Sequence, residues 1–525
     1  MEKIFKELEE MNYRLANESR LFRVGLKETQ NLAGIMKEYP ELSQDATLAA
    51  IKKEIDRCSS ASLSSSDTHT SDEKRVDERK EQLERLYGNI LSNCIYRQTA
   101  QKSDEFQTWI SQKKAKVDDD SDKDEYYYSL SNILKKEKNF DRRQSLSAKI
   151  SDIHREGNPQ LIELLDFELS KISDDYGYDN YIDYCQQKKR MNYRAFLGAV
   201  EPLLNTTRDV YEKHISECVE KKLGGPFKNI HKCHIGYLFD LTQYDRHFSK
   251  NTLVDAAEKT FWGMGISLKH NANIIMDLEE RERKNPRACC YPAKVPGEVH
   301  LIITPSGGLY DYSAFLHESG HALQYAHMQK DLPYAFRQMP RSNANTEIYS
   351  FLSQNLMLNP LWYEKILGLS VQESQDIAAN LILIDLFMIR RYIGLLSSQH
   401  RFFEIGDLAR SDIYAEVMSE ATGFRYDAED YLFDMDSGFY SADYLRAWIC
   451  QSQMEHYLES RFGNDWFTQK PAGDFLKERW EEGEKFEPET VIERLGMKKF
   501  DTRFLEMRYK KLETLKSYQQ GMKHA

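Results

Sequence analysis

The sequence predicts a mainly α-helical protein with one small β-sheet. Two observations carry this. Apolar residues recur at three- and four-residue steps along most of the chain, as at Leu83, Leu86, Tyr87, Ile90 and Leu91. One stretch, "GEVHLIITPSGG" (297–308), instead reads as a strand, with Val299, Leu301, Ile302 and Ile303 ending at Pro305. A third observation concerns organisation. At 525 residues the chain exceeds one core of ordinary size. We expect an N-terminal helical lobe over 1–195 and a second lobe over 196–525 that carries the chemistry.

Helical patterns run through 2–38, 73–100, 124–139, 159–190 and 193–222. Two stretches interrupt them. "CSSASLSSSDTHTSD" (58–72) reads as an exposed serine-rich loop, and "KVDDDSDKDE" (116–125) as an acidic loop leading into a helix. The acidic loop is not an EF-hand. Counting from Asp118, Lys123 stands where that loop needs Gly, and Ser129 where it needs Glu. Glycine and proline become frequent between 224 and 312, where the strand lies, and helical patterns return from 311 without internal repeats.

Composition narrows the function classes. Hydrophobic residues make up 41% and charged residues 30%, as in soluble globular proteins, and the net charge is −12. Such a chain has no electrostatic reason to seek nucleic acid or anionic membranes. "MEKIFKELEEMNYRL" reads as a charged amphipathic helix rather than a signal peptide. The longest apolar stretch, "AANLILIDLFMI" (378–389), is interrupted by Asp385 and is too short to span a bilayer. The eight cysteines form no CxxC pair, and Cys289-Cys290 reads as two packed residues. A cytoplasmic protein with free thiols is expected.

The chemistry-bearing segment follows the strand. "FLHESGHAL" (315–323) lies in a helical pattern that Asp311 or Ser313 can cap. Residues four apart lie about 40° apart around a helix, so His317 and His321 project together and can grip one ion. Glu318 lies about 100° round from His317, an offset suited to holding the ion's water rather than the ion. A catalytic zinc takes three protein ligands. The third candidate is Glu347, 26 residues after His321, at the start of the helical pattern in "NANTEIYSFLSQNL" (343–356). Between them lies a loop containing Pro333 and Pro340. Two imidazoles and one carboxylate favour one Zn2+ per chain. Zinc would lower the pKa of its water and polarise a carbonyl. Glu318 would take the water's proton and pass it to the leaving amine. The bland alternative is a satisfied histidine pair on an ordinary helix. His231, His234, His247 and His270 are scattered and read as surface or core.

These segments resemble the thimet oligopeptidase and oligoendopeptidase F metallopeptidases. "VHLIITPSGGLYDYSAFLHESGHALQ" is similar to that family's strand, glycine turn and zinc helix, and "TEIYSFLSQNL" to its third-ligand helix. "YGYDNYIDY" (176–184) also resembles a family stretch, so similarity spans about 176–450. "GFYSADYLRAW" (438–448) resembles its tyrosine-rich segment, which implies roles for Tyr440 and Tyr444 in binding the peptide and the oxyanion. The family's histidine before that segment is missing: "YLFDMDSG", with Asp434 and Asp436, stands there, and Ala442 replaces a frequent tyrosine. The resemblance implies a two-lobed helical metallopeptidase with a deep substrate channel, the sheet lying beside the zinc helix. It also implies cleavage of short unfolded peptides. The strand at 299–304 would flank the channel and could pair with an extended peptide, with Gly307-Gly308 allowing close approach.

Two other readings share these residues. A metallocarboxypeptidase or dipeptidyl carboxypeptidase would need a cation for the substrate's carboxylate, with Arg341 or Arg446 available. A helical scaffold with a structural metal site needs no Glu318 at all.

Overall fold

The computed structural model describes the chain except residues 63–70, 118–123, 286 and 523–525. It is mostly helical with a small three-stranded sheet, as the periodicity predicts. The helix Asp45–Ser62 and the helix starting at Ser71 take in both ends of the serine-rich stretch, whose middle lies outside the described residues. Strand β1 (Lys114–Lys116) pairs antiparallel with β2 (Asp124–Tyr126), so the acidic stretch is bounded by a hairpin. Its central residues, 118–123, also lie outside the described residues. A sequence boundary expected at 159 is absent: the helix Phe140–Ser170 runs through Pro159. No described helix is long and apolar enough to cross a membrane.

The chain forms two compact units. The first combines Met1–Arg97, Thr242–Ser374 and Cys450–Lys499; the second combines Gln98–Leu241, Gln375–Ile449 and Phe500–Ala525. Each unit is thus assembled from three separated stretches, whereas the shift expected near 195 marks one point along the chain.

The first unit holds the larger sheet. Strands β3 (Ile274–Asp277), β4 (Cys289–Lys294) and β5 (Glu298–Ile302) lie in the order β3-β5-β4. β3 runs parallel and β4 antiparallel to β5, with Ile274 opposite Val299 and Cys290 opposite Leu301. Val299, Leu301 and Ile302 are fully buried, which explains why this strand reads as an apolar run rather than an alternation. The expectation of a free edge on the strand at 299–304 is corrected here. Both edges of β5 are paired, and the outer strands are β3 and β4.

The turn after β5 needs its two glycines, but for the chain's own packing. Gly307 and Gly308 have φ of +88° and +96°. A Cβ on Gly308 would meet the Asp245 carboxylate at 2.9 Å, and one on Gly307 would meet backbone of Phe248 and Lys250 at 3.2 Å. The helix starts at Leu309, earlier than a cap at Asp311 or Ser313 would place it. Leu309 N–H donates to Asp245 Oδ1 at 2.9 Å, while Asp311 folds back to accept from Ser306 and Gly307 N–H at 2.7 Å each.

In the second unit Phe106, Ile110, Leu130, Leu146 and Ile153 form a buried cluster. Asp385, the charge inside the apolar run, is buried and satisfied. It accepts from Trp448 Nε1 at 3.0 Å, Arg508 at 3.2 Å and Tyr509 OH at 3.0 Å.

Candidate metal centre

Two helices of the first unit build the site: the histidine helix Leu309–His327 and the carboxylate helix Ala344–Gln354. The two pack closely along their length. Phe315, Leu316 and Leu323 bury the apolar face of the first, and nearly every residue of the second is buried. They cross where side chains are smallest. A Cβ on Gly320 would lie 2.4 Å from Tyr349 O and 2.7 Å from Ser350 Cα. Glycine therefore sits between Glu318 and His321 because the neighbouring backbone occupies the space of a side chain.

That contact brings the three expected ligands together. The donor atoms of His317, His321 and Glu347 all lie within 4.8 Å of one another, the one such His/Cys/Asp/Glu cluster among the described residues. Glu347 Oε2 is 3.4 Å from His317 Nε2 and 3.6 Å from His321 Nε2. Both separations exceed a charge-assisted hydrogen bond, which is about 2.7–2.9 Å. The edge of a tetrahedron whose centre lies about 2.0–2.1 Å from each donor is about 3.3–3.4 Å; the His317 separation matches it and the His321 separation is slightly longer. The donor set thus fits a metal ion better than a histidine–carboxylate pair.

The other ring nitrogens are also committed, both to the carboxylate helix. His317 Nδ1 lies 2.8 Å from Gln354 Oε1, and His321 Nδ1 lies 2.8 Å from Thr346 Oγ1. Each Nδ1–H can donate there, which leaves the Nε2 lone pairs facing Glu347. Gln354 lies two helical turns from Glu347 on the same face, and Thr346 is its neighbour. One helix therefore supplies a carboxylate and orients both imidazoles. Sequence reasoning passed over Thr346 and Gln354, although both stand in the stretch that flagged Glu347.

Charge within the cluster is divided. Burial pushes the Glu347 carboxyl up, but the His321 and His317 charges and the Ser350 hydroxyl outweigh it and hold it at about 2. Burial pulls the His317 imidazole down, yet Glu347 leaves it above its ordinary value. At His321 burial prevails and the imidazole stays below it. Ser350 Oγ donates to Glu347 Oε2 at 2.9 Å.

Glu318 is half-buried beside these residues and makes no hydrogen bond or ion pair among the described residues. Its charge acts on both imidazoles, and burial with that charge raises the Cys290 thiol on β4. Cys289 and Cys290 are accordingly packed thiols, as expected.

The remaining candidates are Tyr440, Tyr444, Arg341 and Arg446. Tyr440 and Tyr444 belong to the second unit, where their rings pack at 4.8 Å, with Tyr392 against Tyr444 at 5.2 Å. Arg341 is spent on Glu81 and Glu84, at 2.9 and 2.7 Å, so its guanidinium is not available to a substrate carboxylate. Arg446 is buried beside Asp443 in the second unit.

No protein family and no curated protein matches the chain. Its fold is similar to a crystal structure described as that of a "putative peptidase from Chlamydophila abortus", with a TM-score of 0.65 and 14% identity. The match covers 98% of this chain and 90% of the other. At this identity the likeness establishes a shared fold.

Proposed function

We infer that the protein is a zinc-dependent oligopeptidase that hydrolyses peptide bonds of short unfolded peptides. The observation that carries the reading is the clustering of the His317, His321 and Glu347 donor atoms within 4.8 Å of one another beside an uncommitted Glu318. The peptidase name of its structural neighbour supports it.

Zinc bound there supplies a Lewis acid that polarises a peptide carbonyl and brings the pKa of water towards neutrality. Glu318, with no other partner, accepts the proton as water adds to the carbonyl carbon, then delivers it to the leaving amine nitrogen. Thr346 and Gln354 hold the imidazoles in the tautomer that presents Nε2. The roles of Tyr440 and Tyr444 rest on the family resemblance; replacing each by Phe and measuring kcat decides them.

The test is cleavage of a mixed peptide library. Activity is lost on chelation and restored by zinc. Glu318→Gln lowers kcat by roughly 10²-fold or more while zinc stays bound. Wild-type activity in that variant would remove the proposed base. The commitment of Arg341 disfavours the carboxypeptidase reading. Cleavage of a peptide with an amidated C-terminus separates the two.

A further inference from the structure

Glu484 is a buried carboxylate that the proposed chemistry does not use. It follows the helix Lys470–Glu481 and is 4% exposed. Its two oxygens serve two different helices. Oε1 accepts from Gln324 Nε2 at 3.0 Å, and Oε2 accepts from Asn345 Nδ2 at 3.0 Å. Gln324 stands three residues after His321 on the histidine helix, and Asn345 two residues before Glu347 on the carboxylate helix. Both amides are buried, and their own oxygens have no hydrogen-bond partner among the described residues. What orients them is Glu484, with the carbonyl of Gly483 as a longer second acceptor for Asn345 at 3.3 Å.

The backbone that carries Glu484 is tied to the same region. Its N–H donates to Phe336 O at 2.8 Å. Gly483 has φ of +61°, and a Cβ there would meet that same carbonyl at 2.5 Å.

We propose that Glu484 is a positioning residue for the metal centre: by gripping one amide from each ligand-bearing helix, it sets the separation between the two imidazoles and Glu347. The inference rests on the metal-centre reading above. The charge has a specific use. A carboxylate accepts from two amide N–H groups at once, whereas a carboxamide or a protonated acid offers one acceptor and one donor and turns one amide away. The cost is visible. Burial pushes the Glu484 carboxyl up to about 7, against the Asn345 amide and the Arg85 charge, with Glu487 adding to the rise. Arg85 itself is committed to Glu81 and to the carbonyls of Ala335 and Met339. Tyr325 and Tyr349, from the two ligand helices, face Glu484; burial first and its charge second raise both phenols.

The test uses the full chain as wild type, Glu484→Gln and Glu484→Ala. Zinc affinity is measured by chelator competition, and the visible spectrum of the cobalt-loaded protein reports coordination geometry. Both variants are expected to lose roughly 10–100-fold in zinc affinity and to change the cobalt spectrum. If Glu484→Gln keeps wild-type affinity and spectrum, the residue only fills space and the proposal fails. Should Glu484→Ala not fold, the isosteric variant decides alone. If the wild type itself binds neither ion, the metal-centre reading fails first, and the proposal with it.

Discussion

The crossing at Gly320 makes the sharpest prediction. Gly320→Ala adds a Cβ that would lie 2.4 Å from Tyr349 O, 2.7 Å from Ser350 Cα and 2.8 Å from Ser353 Oγ. The first two are backbone atoms and cannot rotate aside. Restoring an ordinary contact of 3.4 Å to the carbonyl requires 3.4 − 2.4, or 1.0 Å, of separation between the helices. Tyr349 and Ser350 lie within one turn of Glu347, so the carboxylate moves with them. The His–Glu347 separations of 3.4 and 3.6 Å then widen, while metal–ligand distances tolerate only about 0.2 Å. The overpacking costs about 1–3 kcal/mol of stability. A misplacement of about 1 Å costs about 10²-fold in activity. The assays are zinc affinity by chelator competition, peptide hydrolysis, and circular dichroism to show that the variant folds. A folded Gly320→Ala protein with wild-type affinity and rate would refute the argument that this contact sets the ligand geometry.

Other outcomes follow from the same physics. Gln354→Leu or Thr346→Val frees one imidazole from its Nδ1 partner and should weaken zinc binding roughly 10–100-fold without unfolding the protein, as read by competition titration. Glu484 should also shape stability against pH. Its carboxyl is raised from 4.5 to about 7, so the fold holds that proton more tightly than the unfolded chain does. The contribution is fully present below about 4.5 and is lost as pH rises through about 7. Urea unfolding of the metal-free protein should therefore show Glu484→Gln gaining about 2–3 kcal/mol relative to wild type between pH 5 and pH 8; a pH-independent difference would count against it. In the second unit, Asp385→Ala removes the carboxylate that accepts from the buried Arg508, Trp448 and Tyr509, and should cost about 3–5 kcal/mol in the same assay.

What was legible in the sequence is local in character. The periodicity that predicts a mainly helical chain is set by neighbours three and four residues apart. The same spacing puts His317 and His321 on one face without any tertiary information. β5 was legible because Val299, Leu301 and Ile302, buried in a central strand, stand out as apolar even with Glu298 and His300 among them. Glu347 was reachable because it opens a second helical pattern. The hairpin around the acidic stretch was not, since its strands of three residues each leave too little pattern to read.

The tertiary structure alone decided how these pieces meet. The strand at 299–304 had no visible reason in sequence to be central, because pairing with β3 and β4 joins residues distant along the chain. Gln354 stands 37 residues from the imidazole it orients, and Glu484 stands 160 and 139 residues from the two amides it grips. Such partners leave no periodic trace. Gly320 shows the division within one residue. The sequence places it between Glu318 and His321, the proposed base and a proposed ligand; only the neighbouring helix, occupying the space where its side chain would be, makes glycine necessary there.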